Sequence, residues 1–516
     1  MRLLGYGWLR ETLALPTLPV SPVAMVGATT RVTEVGDKRL IPASVAAELH
    51  SVLDHILFAL KHEGANLGVL SHALRHVPAA ELDAKMRAMP NSRFVRVACY
   101  LWEHYTQARL SDPPKITGPY VDVFDPRLYF TGDEVKDARW RVRFNGVGSL
   151  DYCVTIRRTP AILALQEVDI FAQMEAFIAE VGQGMLDRAL AWAYLSETES
   201  SFEIERETPN AAKAERFVQL LHHAHDGREL SEAYWVELQQ SVMSNPFDQA
   251  VSYRTEQNWL RNSMRGPLGV TYVPPGPEHV DDLMEAFNQF CNHPPKQLDP
   301  LLVASIASFG FVFIHPFMDG NGRLSRFLFH HALCRSGRLA KGFLLPVSMA
   351  IKRHEMDYLA ALQTFSKPAR NLWQVRQTGD NDFSFQTQTN ADLYRYWDAT
   401  PIVEFGLRMA KEALEHDLQK ETRFLACYDR VFGMVNDQFD IRATILPTLI
   451  NGCYQQQGRL SKGLRKKYEH LVQPEAYDWI ESCVKDVFFS EDGEAPRLGE
   501  PDISQSATPD GMRRAP

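Results

Sequence analysis

One run constrains this chain more than any other: His315-Pro316-Phe317-Met318-Asp319-Gly320-Asn321-Gly322-Arg323-Leu324-Ser325-Arg326. The segment before it, Leu301 to Ile314, is apolar and carries no charge, which predicts a buried helix ending near His315. Beyond it, Leu324, Phe327, Leu328 and Ala332 recur at helical spacing. The run is therefore a tight loop between two core helices, and it is dense in functional groups.

Each group has a chemical reading. Gly320 and Gly322 allow backbone conformations that other residues resist, and they let another molecule approach closely. They also stand where a helix begins, so free N–H groups and the positive end of the helix dipole favour an anion. Arg323 and Arg326 carry guanidinium forks suited to phosphate oxygens. Asp319 is a hard oxygen ligand for Mg²⁺ shared with phosphates. His315 can accept a proton near neutral pH. Together they describe a site for a polyphosphate, a metal and a general base. The plainer alternative is a glycine-rich interhelical turn with solvated charges.

The run resembles the Fic-domain motif His-Pro-Phe-x-Asp-Gly-Asn-Gly-Arg-x-x-Arg and matches it at every fixed position. The resemblance implies a protein adenylyltransferase that moves AMP from ATP to a Ser, Thr or Tyr hydroxyl of a target protein, releasing pyrophosphate. It makes His315 the base. Asp319 would hold Mg²⁺, and the backbone of Gly320, Asn321 and Gly322 would form the anion hole. Arg323 would contact the phosphates and Arg326 the γ-phosphate, with Leu324 and Ser325 completing the nucleotide-binding loop. Tyr358 stands where relatives place an aromatic near the adenine, although packing explains it equally. Gly322 argues against the branch that has Lys there and phosphorylates its target. Removal of AMP, or transfer of another phosphate-linked group, stays open.

Two further segments extend the resemblance. Arg254-Thr255-Glu256-Gln257-Asn258-Trp259 resembles the stretch before the Fic flap, and Gly266 to Pro275, with Leu268, Gly269 and Val270, resembles the flap itself. The flap is a hairpin that aligns a target chain by main-chain pairing; an ordinary Pro-ended hairpin is the alternative. In Ser200-Ser201-Phe202-Glu203-Ile204-Glu205-Arg206-Glu207, Ser200 with Glu203 reads as a capping box opening a helix. The same stretch resembles the inhibitory helix of many Fic proteins, Ser/Thr-x-x-x-Glu followed by Gly or Asn. Ser201 and Glu205 match it and Arg206 departs. Glu205 would then pair with Arg326 and occupy the space the γ-phosphate needs.

The expected fold is mainly α: a Fic helical core with a β-hairpin flap, an N-terminal α+β accessory domain and a helical C-terminal region. The 516 residues suggest two to four domains. The division expected is 1–185 accessory, 186–390 Fic with the inhibitory helix near 200–207, 391–489 helical and winged-helix-like or target-docking, and 490–516 a disordered tail. In the accessory region a helix is expected from Ser44 as N-cap through Leu60 to Gly64. Others are expected at Leu67–Arg75, Ala79–Ala88 and Arg93–Gln107. From Lys115 to Arg158 the signal is β-like, with Trp140, Val142 and Phe144 alternating with arginines and Asn145-Gly146 as a turn. Ser348 to Phe365 reads as one helix.

A net charge of −9 argues against bulk coating of nucleic acid. The arginine face near Arg139–Arg143 and the cluster Arg459, Lys462, Arg465, Lys466 and Lys467 could touch nucleic acid or an acidic partner, but solvated faces explain both. Seven scattered cysteines without a CxxC point to a reducing, cytoplasmic setting with neither disulfides nor zinc. No signal peptide and no membrane span is expected. The partners expected are a target protein and a second copy of the chain in a homodimer. Two rival functions remain: a nucleic-acid- or partner-binding regulator with a silent core, and a Fic-type enzyme that removes AMP with Glu205 acting on water.

Overall fold

The computed structural model describes residues 2–243, 245–379 and 382–489; the expected disordered tail lies outside them. They form two compact units that interleave along the chain, whereas the sequence reading divides it linearly. One unit comprises residues 1–168, 201–341 and 351–408, and the other 169–200, 342–350 and 409 onward.

The first unit is built on the two helices either side of the signature run. Asp299 caps the Pro300–Ile314 helix by accepting from the Leu301 N–H at 2.8 Å, with Pro300 at the first turn, where its missing N–H costs nothing. Nearly every side chain of this helix is buried. It packs along the Asn321–Arg335 helix, which is buried on most of its surface too. An apolar helix without a polar face is stable only inside such a core. The Ala211–His222, Glu232–Val242 and Val280–Asn292 helices pack around this pair.

The N-terminal part of this unit is α+β. The Leu67–Ala73, Ala79–Ala88 and Arg93–Thr106 helices form as expected. The helix expected from Ser44 does not. Ala43–Ala46 is a single turn, and the real helix, Val52–His62, starts at Ser51. Ser51 and Asp54 make a reciprocal capping box, at 3.1 Å each way, so two orphan donors are satisfied there and none at Ser44. Gly64, at φ 90°, follows the end of this helix as expected. Val23–Gly27 pairs in parallel with Lys38–Pro42, and Thr33–Val35 completes a three-stranded sheet absent from the sequence reading.

Val142–Phe144 is a strand with both valine and phenylalanine inward. Asn145-Gly146 is not a hairpin turn, however: Val142–Phe144 and Val147–Gly148 belong to different sheets. The Asn145 amide is buried, accepting from the Phe124 N–H and donating to its carbonyl, both at 2.9 Å. The neighbouring arginines have partners of their own. Arg139 binds Asp112 at 2.6 Å, and Arg143 binds Asp122 at 2.5 Å. The expected helix over Ser348–Phe365 is two, Val347–Arg353 and Glu355–Arg370, broken at His354.

The regular elements of the second unit, among its described residues, are all helices. Its C-terminal part runs from 409 to 436 with a π-helical passage at Ala413–Leu418, then Leu446–Gln455, Lys462–Tyr468 and Pro474–Phe488. Val431, Val435, Leu446, Leu449, Ile450, Ile480 and Val484 meet in one core. Among the described residues from 391 to 489 there is no strand, so the wing of a winged helix is missing. The apolar residues there recur at helical rather than alternating spacing. Arg465, expected in a free basic cluster, is held by Asp478 and Glu481 at 2.9 and 2.7 Å.

Candidate active site

The signature loop begins where the Pro300–Ile314 helix stops. His315 terminates it in the left-handed region, φ 53° and ψ 59°, with its N–H on the Phe311 carbonyl at 2.8 Å. Its Nδ1 lies 3.1 Å from the Val312 carbonyl oxygen. A carbonyl only accepts, so Nδ1 carries the proton and Nε2 is left as the acceptor. Burial pushes the imidazole pKa down to about 4, and the charge of Arg254 adds to this against the Val312 hydrogen bond. The ring is therefore neutral at physiological pH, the state a base requires.

Asn321 closes the loop on itself: its side chain accepts from the Phe317 N–H at 3.0 Å and donates to the Phe317 carbonyl at 2.8 Å. Gly320, at φ 86°, occupies the N-cap of the next helix with no side chain capping that end. A helix N-terminus left uncapped offers N–H groups and a positive dipole end to an anion. Asp319 Oδ1 accepts from the Gly320 N–H at 2.6 Å, and the carboxylate remains 60% exposed. Among the described residues no three acidic, histidine or cysteine side chains gather to hold a metal. Asp319 thus fits a cation only if nucleotide oxygens and water supply the other ligands, which is the coordination Mg²⁺ favours. Ser325 bonds back to the Gly322 carbonyl at 2.8 Å, and Leu324 is buried core.

Both arginines meet the end of the Gln183–Ile204 helix. Arg326 Nη2 donates to Glu205 Oε1 at 2.6 Å and to the Ser201 carbonyl at 3.1 Å, while its Nε donates to the Ser201 hydroxyl. Arg323 Nε lies 3.5 Å from Glu205 Oε2, and its guanidinium stands 5.6 Å from the Phe202 ring. Gly322 makes this approach feasible: a Cβ there would lie 2.1 Å from Glu205 Oε1. The expected pairing of Glu205 with Arg326 is present.

The capping box expected at Ser200 and Glu203 is not there, because these residues end a helix rather than begin one. The Glu207 N–H bonds the Phe202 carbonyl at 3.0 Å and the Arg206 N–H the Glu203 carbonyl at 2.9 Å, a Schellman ending. That ending needs a left-handed residue, and Arg206 supplies it at φ 58°. The Gly or Asn found there in the motif this stretch resembles would adopt that conformation with less strain.

The flap is a hairpin, but its strands are not both inside 266–275. Val270–Tyr272 pairs antiparallel with Leu260–Arg261, which lies just after Trp259 and before the expected flap segment. Leu268 at the tip is 82% exposed. Gly269 sits where a Cβ would fall 2.1 Å from the Met264 carbonyl oxygen, so the tight turn requires glycine. Val270 is buried with Val273 and Trp373. Arg370 fixes the hairpin through the Val270 and Pro267 carbonyls, at 2.8 and 3.1 Å. Tyr358 packs on Phe309 and Phe405; burial raises its pKa, and Arg326 and Glu205 act on it in opposite senses, so it lies in the field of that ion pair.

Two supporting residues carried no role in the sequence reading. Gln239 is buried; its amide nitrogen donates to the Asp248 and Asp319 carbonyls at 2.9 and 3.4 Å. Arg254 is buried against the backbone around His315. No local spacing signals either, since both act across tens of residues.

Residues 229–333 match the model of the Fic/DOC family, and the chain carries a Fic domain. A 67-residue stretch is 42% identical to a Protein adenylyltransferase Fic of Nematostella vectensis, covering 13% of this chain and 16% of that relative. The protein of the same name from Drosophila grimshawi is 43% identical over 67 residues, covering 13% of this chain and 14% of the relative. The chain thus spans only about a sixth of the first relative's length. Among solved structures, a Fic family protein from Desulfovibrio desulfuricans G20 matches with a TM-score of 0.38 and 19% identity, covering 62% of this chain and 87% of that one. No helix among the described residues is long and apolar enough to cross a membrane.

Proposed function

We propose that this chain is a protein adenylyltransferase restrained by its own Glu205. The observation that carries the reading is the convergence on one loop of a neutral histidine, an uncapped helix N-terminus and two buried arginines. In the proposed step a Ser, Thr or Tyr hydroxyl of a target protein loses its proton to His315 Nε2. The hydroxyl oxygen forms a bond to the α-phosphorus of ATP as the bond to the departing pyrophosphate breaks. Arg323 and Arg326, with the backbone N–H groups of 321 and 322, neutralise the phosphate charge. Asp319 would help hold Mg²⁺, which supplies further charge neutralisation when bound. The flap would align the target chain by main-chain pairing.

Glu205 occupies Arg326, the group assigned to the γ-phosphate, so ATP must displace a carboxylate to bind productively. The setting proposed is reducing and cytoplasmic, as expected for seven scattered cysteines without a CxxC. Three residues of the basic faces offered for a nucleic-acid regulator, Arg139, Arg143 and Arg465, are paired with carboxylates of the chain itself, which favours the enzyme over that alternative. The test uses α-labelled ATP with Mg²⁺ on the unmodified chain, Glu205→Gly and His315→Ala. Label on protein that rises in Glu205→Gly and vanishes in His315→Ala supports the proposal. Absence of label in every variant despite intact ATP binding, with and without candidate targets, overturns it. Release of AMP from a modified target, lost in Glu205→Gly, would assign the opposite reaction.

A further inference from the structure

The end of the Pro300–Ile314 helix can be accounted for group by group. A helix leaves its last four carbonyls without intrahelical partners. Here Phe311 accepts from the His315 N–H and Val312 from His315 Nδ1–H. Phe313 accepts from the Tyr272 hydroxyl at 2.5 Å and Ile314 from Arg254 Nη2 at 3.5 Å. The carbonyls of the next two residues also go to Arg254: His315 to its Nε at 2.8 Å and Pro316 to its backbone N–H at 2.9 Å. The remaining guanidinium donors reach Pro275 at 2.5 Å and Glu256 at 3.1 Å, both backbone carbonyls.

Arg254 is 5% exposed, and among the described residues no carboxylate makes an ion pair with it. A buried cation without a counter-ion is an expensive way to staple a loop. Its setting at a helix C-terminus offsets part of that, because the dipole end is negative. Its Nε, one contact of its Nη2 and its backbone N–H converge on the 314–316 backbone that holds one side chain, and that side chain is the histidine in a left-handed conformation that a non-glycine residue seldom adopts.

We infer that Arg254 is the positioning residue for His315: its fork holds the 314–316 backbone so that Nδ1–H stays on Val312 and Nε2 faces outward as an unprotonated acceptor. The consequence for catalysis rests on the proposed transfer; the positioning itself does not. Burial and the Arg254 charge both disfavour imidazolium, and the Val312 carbonyl favours it. The other titratable groups around this pair are Tyr272, Tyr394 and Glu278, which act on Arg254, and Asp319 on the same loop.

The test is NMR of the full chain carrying ring-¹⁵N histidine, with His315 assigned by its loss in His315→Ala. The unmodified protein is expected to show a single Nδ1–H tautomer and a titration midpoint near 4. In Arg254→Met the midpoint should move up, by less than the depression burial causes, with tautomer averaging. Arg254→Lys keeps the charge but loses the fork, so tautomer averaging should appear with a smaller shift; this variant decides the question if Arg254→Met does not fold. Folded variants whose His315 signals match the unmodified protein overturn the inference. Because the readout needs no label transfer, a shifted His315 in a protein that never transfers AMP would leave the positioning standing and remove the proposed activity.

Discussion

Replacing Glu205 by glycine is the most informative perturbation of the site. The carboxylate makes a 2.6 Å charge-assisted bond to Arg326, with side chains 26% and 6% exposed respectively, and a longer contact to Arg323. A hydrogen bond to a charged group contributes roughly 1.5–3 kcal/mol when one partner stays partly shielded from water. If ATP must displace that contact to reach Arg326, its apparent affinity is lowered by the same free energy. At about 1.4 kcal/mol per tenfold, Glu205→Gly should tighten ATP binding roughly 10- to 150-fold. Isothermal titration with ATP and Mg²⁺ measures this directly, with no need for a target protein. Arg326→Ala in the Glu205→Gly background should abolish the gain, because the competition is for that guanidinium. A Kd that moves less than threefold on loss of Glu205 would refute the competition argument, and the ion pair would then be a structural contact only.

Arg206→Gly should raise the melting temperature and weaken ATP binding several-fold, since removing a left-handed penalty of roughly 1–2 kcal/mol firms the helix end that presents Glu205; thermal melts and the same titration check it. The labelling rate should stay flat from pH 8 to about 5 and fall below about 4, because His315 stays neutral until then. The same group makes stability pH-dependent: its folded pKa is depressed from 6.5, so its contribution is complete above pH 6.5 and is lost as pH falls towards 4, a decline that urea melts of His315→Ala should show reduced. Ser51→Ala should destabilise the N-terminal region by about 0.5–2 kcal/mol through loss of the capping box, read by chemical denaturation.

The sequence by itself determined those features whose cause is local. A charge-free apolar segment can only be a buried helix, and Pro300–Ile314 is one. Glycines at 320 and 322, flanked by His315 and two arginines, mark a loop dense in functional groups, and the structure brings those residues together. Glu205 and Ser201 were legible as partners of Arg326 only through resemblance, since nothing in their spacing points 120 residues downstream. Tertiary structure decided the rest. One exception is local and legible in the sequence: Ser51 rather than Ser44 caps the first long helix because only Ser51 has Asp54 three residues on to close a reciprocal pair. Leu260–Arg261 became the flap's second strand because Val270–Tyr272 lay opposite it, a choice made by pairing rather than propensity. Arg254 and Gln239 acquired their roles from the carbonyls the fold presents to them. A backbone acceptor has the same chemistry at every residue, so its position in space, which sequence does not display, selects the donor.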